Sequence, residues 1–102
     1  VTREQRQEIL ATAIKTWGEP AQIDMAVEEM AELTKALCKV KRAQAGPELA
    51  AAIENAVEEV ADVQIMLDQL RIMLGQTGAD VEDAKLRRLE SRLMMAGRRG
   101  PL

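Results

Sequence analysis

Histidine, tyrosine and phenylalanine are absent from this chain of 102 residues, and cysteine and tryptophan occur once each. Without histidine there is no Ser-His-Asp or Cys-His nucleophilic centre, no His-ligated zinc site and no imidazole general base. The lone Cys38 can close no intrachain disulfide and offers no thiolate cluster to a metal, which fits a reducing compartment. Apolar runs are far shorter than a membrane span and no amino-terminal signal pattern is visible. The expected location is therefore the cytoplasm, with no membrane partner. A net charge of -3 argues against a nucleic-acid partner, whose phosphates call for a basic surface. With aromatics at 1%, the side chains that favour strands are scarce.

What is present is the material of packed helices. Ala, Leu, Met, Glu and Arg dominate, interrupted by only three prolines and six glycines, and the length suits a single core. Thr2 and Gln5 have capping-box spacing, and Ile9, Leu10, Ala13, Ile14 and Trp17 recur on one helical face until Gly18 and Pro20. A second helix is predicted from about Ala21 to Arg42, with Ile23, Ala26, Val27, Met30, Leu33, Leu37 and Val40 as its apolar stripe. After Gln44-Ala45-Gly46, Pro47 opens a third helix that runs to about Leu74, before Gly75-Gln76-Thr77-Gly78. Asp80 with Asp83 opens a fourth, ridged by Leu86, Leu89 and Leu93, and residues 97–102 read as a flexible basic tail.

The third helix is apolar on several sides. Beside the stripe Ile53, Val57, Val60, Val63, Leu67, Leu70 and Leu74 it carries Ile65, Met66, Ile72 and Met73. One neighbouring hairpin does not cover so much, so the expected fold is an all-α, four-helix bundle over residues 1–96 completed by oligomerisation, as a homodimer or homotetramer.

Two acidic segments repeat. Ala26-Val27-Glu28-Glu29-Met30-Ala31-Glu32-Leu33 and Ala56-Val57-Glu58-Glu59-Val60-Ala61-Asp62-Val63 are near copies. Each puts a carboxylate pair three residues apart on one helical face, Glu29 with Glu32 and Glu59 with Asp62. The midpoint of Glu32 and Glu59 lies between Ala45 and Gly46, as does that of Glu29 and Asp62, so an antiparallel hairpin turning there brings all four level, about 20 Å from its tip. Glu29 and Glu32 also share their sector with Met25 and Ala36, which is not the setting of a solvated face. Four converging carboxylates repel one another unless a cation binds, and oxygen-only ligands select a hard ion, Mg²⁺ with Mn²⁺ as a substitute. A di-iron bundle would need E-x-x-H pairs, which this chain lacks.

On the fourth helix Lys85, Arg88 and Arg92 form a basic ridge suited to phosphate oxygens. Asn55, one turn before Glu59, is a candidate to support the metal ligands. Trp17 is assigned to packing at the end of helix one, with stacking on a base as its other role.

These residues carry a resemblance. Trp17-Gly18, Asp24-Met25-Ala26-Val27-Glu28-Glu29 to Glu32-Leu33, Glu58-Glu59-Val60-Ala61-Asp62-Val63 with Met66-Leu67, and Lys85-Leu86-Arg87-Arg88-Leu89 are similar to the MazG-like nucleoside triphosphate pyrophosphohydrolases, in the short single-domain form common in bacterial and prophage genomes. The resemblance implies Mg²⁺-dependent cleavage of a nucleoside triphosphate between its α and β phosphates, releasing monophosphate and pyrophosphate. It also implies Glu29, Glu32, Glu59 and Asp62 as metal ligands and catalytic residues, with Lys85 and Arg88 facing the phosphates. The chain departs from larger members in lacking a second catalytic domain and their additional aromatic and histidine pocket residues, which bears on substrate identity. The competing readings are an oligomeric helical interaction module and a nucleotide sensor without turnover.

Overall fold

The computed structural model describes residues 1–75 and 78–99, and these form four helices and no strand. They are α1 (Arg3–Trp17), α2 (Glu19–Arg42), α3 (Gly46–Met73) and α4 (Gly78–Arg99). None is long and apolar enough to cross a membrane. The capping box forms as its spacing predicts: the Gln5 N–H donates to Thr2 Oγ1 at 3.0 Å and the Thr2 N–H to Gln5 Oε1 at 2.8 Å. Gly18, at φ 89°, ends α1 and starts α2, so α2 begins two residues earlier than expected and Pro20 lies in its first turn, where no N–H is needed. α4 runs to Arg99, into the stretch read as a tail; residues 100–102, and Gln76-Thr77 of the last turn, lie outside the described residues.

α2 and α3 make the main contact, an antiparallel hairpin against whose open end α1 packs through the buried Leu10. The seam between them differs from the stripes predicted for either helix. On α2 the buried and half-buried positions are Gln22, Ala26, Glu29, Leu33, Ala36 and Val40, and on α3 the matching series is Ala52, Ala56, Glu59, Val63, Met66 and Leu70, with Gln69 buried beside it. Alternating steps of four and three are the signature of two helices wound side by side. Ala26 and Ala36, each 1% exposed, are where the packing is tightest, because a methyl group lets the helix axes approach closely.

The large apolar side chains expected in the core point elsewhere. Val27, Leu37, Ile53, Val57, Val60 and Leu67 are exposed, Val57 at 63%, and of the α3 stripe only Val63 is buried and Leu70 half-buried. Alanines hold the closest approach in the seam, and many of the large side chains lie on its flanks, exposed. α4 is exposed over residues 79–97 and is tied to the rest by an exposed ion pair, Arg71 with Glu82 at 2.6 Å. The chain consequently exposes 8076 Å², against about 5,700 Å² for a folded monomer of 11.3 kDa. Its radius of gyration is 17.7 Å, against about 13 Å for a compact chain of this length.

Candidate metal centre

Two of the predicted ligands occupy the seam itself. Glu29 follows Ala26 and precedes Leu33 in the α2 series, and Glu59 stands between Ala56 and Val63 in the α3 series, both half-buried where an apolar side chain would ordinarily pack. Asp62, one turn beyond Glu59, reaches the same place from the exposed flank. One carboxylate oxygen from each of Glu29, Glu59 and Asp62 lies within 4.8 Å of the others. Glu32 is exposed and stands outside this set, although its charge still acts on Glu29.

The electrostatics follow from that convergence. The Glu29 carboxyl is raised above its ordinary value, first by its burial in the seam and then by the negative charges of Asp62, Glu59, Glu32 and Glu28. An acid cluster that pushes up the proton affinity of its innermost member favours any cation that takes the proton's place. Oxygens sharing one Mg²⁺ stand at most about 4.2 Å apart, so small rotations of the three side chains close the set around such an ion. The donor set, carboxylates alone with one side open to solvent, suits a hard divalent ion that keeps positions for water and phosphate.

The remaining predicted residues are dispersed. Asn55 is half-buried one turn from Glu59 and lines an open groove with Lys39, Arg42 and Glu48, toward the hairpin turn. Lys85, Arg88 and Arg92 lie on exposed α4 and form no ion pair among the described residues. Their ridge is not brought onto the acid cluster by helix packing within the chain. Trp17 does not pack in the core: it is 64% exposed and shares an open face of α1 with Ile9, Thr12, Ala13 and Thr16. Immediately after it Gly18, at φ 89°, joins α1 to α2.

The seam was the signal the sequence held unread. Positions 22, 26, 29, 33, 36 and 40, and 52, 56, 59, 63, 66 and 70, keep heptad spacing, and glutamates inside such a series mark themselves as something other than surface charge. No protein-family model matches the sequence, and no curated protein and no solved structure matches it either.

Proposed function

We propose that the chain is a Mg²⁺-dependent nucleotide pyrophosphohydrolase, with Mn²⁺ as a substitute, that cleaves nucleoside triphosphates to monophosphate and pyrophosphate. The observation that carries this reading is the convergence of Glu29, Glu59 and Asp62 within 4.8 Å across the hairpin seam. Two glutamates in a seam weaken its packing and repel a third carboxylate, and a divalent ion offsets both costs. The sequence resemblance supplies the reaction.

In this reading Glu29, Glu59 and Asp62 hold the ion, which lowers the pKa of a bound water and offsets phosphate charge. Glu32, beside the cluster but outside it, accepts the proton of the attacking water. Asn55 supports the ligands from one turn away. Lys85, Arg88 and Arg92 neutralise the phosphates, and Trp17 is the ring available to a nucleobase. The excess of exposed surface, about 2,300 Å² per chain, is what an obligate interface covers, so the working form is a homodimer or homotetramer. Because α4 lacks a packed neighbour in its own protomer, the assembly is where its basic ridge meets the phosphates.

The test is pyrophosphate release from a panel of ribo- and deoxyribonucleoside triphosphates, with Mg²⁺ or Mn²⁺ and with chelator as control. Metal-dependent release of pyrophosphate with equal monophosphate is expected. No release by folded, metal-loaded protein overturns the reading and leaves a binding or sensing module.

A further inference from the structure

Gln22 and Gln69, 6% and 3% exposed, are the buried polar side chains among the described residues. The Gln22 Nε2 group donates to Gln69 Oε1 at 2.7 Å, across the hairpin between α2 and α3, and Gln69 Nε2 donates to Met66 Sδ at 3.7 Å. The pair shares the register of the acid cluster. Residues 22 and 69, 29 and 62, and 32 and 59 all have their midpoint between Ala45 and Gly46. Gln22 precedes Glu29 by seven residues and Gln69 follows Asp62 by seven, two helical turns or about 10 Å along the hairpin.

We propose that the Gln22–Gln69 pair is a positioning device that fixes the rotation and spacing of α2 against α3, so that Glu29, Glu59 and Asp62 converge. The inference rests on the reading of those carboxylates as a divalent-cation site. The turn at residues 43–45 fixes the hairpin at one end, and the cluster lies about 20 Å from it, where small rotations of either helix have accumulated. Alanine and leucine contacts resist such rotation weakly, since dispersion has little directionality, while the repulsion among three carboxylates drives the helices apart. A buried amide pair permits one arrangement, because turning either helix leaves polar groups buried without a partner. The carboxylates are thus held between two fixed points, the turn on one side and the amide pair on the other.

The decisive variant is the double substitution Gln22→Leu with Gln69→Leu, which replaces both partners by apolar groups of similar size and so keeps the fold. Two readouts separate position from stability. In chelated protein carrying Cys38→Ser, spin labels at Asp24→Cys and Gln64→Cys, both exposed positions, report the α2–α3 spacing beside the cluster in samples diluted with unlabelled protein. In unlabelled protein, titration with Mn²⁺ reports affinity, with thermal melting alongside. The expected result is a melting temperature at or above that of the parent chain, a broadened or displaced distance distribution, and Mn²⁺ binding weakened about 10- to 100-fold. An unchanged distance distribution overturns the proposal whatever the affinity does, and a changed distribution with unchanged Mn²⁺ affinity overturns its link to the site. If neither protein binds Mn²⁺ while the distribution changes, the metal reading fails and the role of the pair in setting the hairpin geometry stands.

Discussion

Glu29 keeps its proton more tightly than an ordinary glutamate because it is half-buried and faces Asp62, Glu59, Glu32 and Glu28. The unfolded chain lacks the burial and the approach of Asp62 and Glu59, so between the ordinary value of 4.5 and the raised one the folded state binds the extra proton. This group's contribution therefore favours folding at low pH and is lost as pH rises through the raised value. Chelated protein should gain stability through Glu29 as pH falls through the raised value toward 4.5, and Glu29→Gln should flatten that part of the pH–melting curve; an identical slope in the variant rules the origin out. Roles within the cluster separate as well. Glu59→Gln or Asp62→Asn should abolish turnover and cost most of the Mn²⁺ affinity with helical content intact, while Glu32→Gln should abolish turnover yet bind Mn²⁺ within a few-fold, as a base outside the ligand set does. Full activity in Asp62→Asn removes the proposed centre. The spacing of the four carboxylates and the hairpin midpoint were readable from the sequence, but their unequal standing was not. Only the packed seam distinguishes Glu29 and Glu59, which displace apolar side chains, from Glu32, which faces solvent.

Among the elements, the joint between α1 and α2 rests on Gly18. Its φ of 89° is a backbone conformation that side chains disfavour, and a Cβ there meets nothing closer than Pro20 Cδ at 3.9 Å. Gly18→Ala should therefore cost about 1 to 3 kcal/mol through backbone strain alone, because φ 89° with ψ 150° is essentially a glycine conformation, lowering the melting temperature by at least about 4 °C. Thr2→Ala, which removes the capping box, should cost about 1 kcal/mol. Caps, glycines and prolines act within a few residues of themselves, and for that reason the four helices and their turns were legible in the sequence. The inward face of α2 and α3 was not, because both helices carry two apolar faces. Of the predicted stripes, Ile23 to Val40 and Ile53 to Leu74, only Ala26, Leu33, Val40, Val63 and Leu70 lie in the seam, and the other large side chains are exposed. Close approach of two long helices favours the face with alanines, a preference that depends on the partner and is invisible along one chain.

For the molecule as a whole, the chain exposes 8076 Å², with Val57, Leu74, Leu93 and Met94 all more than half exposed, against about 5,700 Å² for a compact monomer of its mass. Association through these faces should make the melting temperature rise with protein concentration and give a dimer or tetramer mass in sedimentation. Val57→Asp with Leu89→Asp should shift that mass toward the monomer, and a monomeric parent chain at micromolar concentration sinks the assembly. The exposed Arg71–Glu82 pair, by contrast, contributes little in water, so Glu82→Gln should leave melting within the error of measurement.

Composition and spacing along one chain were enough for the helical class, the places of the turns, the exclusion of histidine chemistry and of a thiolate cluster, and the level pairing of two acidic segments. Packing in three dimensions settled which face of each long helix turns inward. It thereby settled that Glu29, Glu59 and Asp62 converge while Glu32 stands aside, that Gln22 meets Gln69, and that Trp17 and α4 remain uncovered. The physical reason is that helical periodicity fixes which residues share a face, whereas which of two apolar faces is buried depends on how closely the neighbouring helix can come.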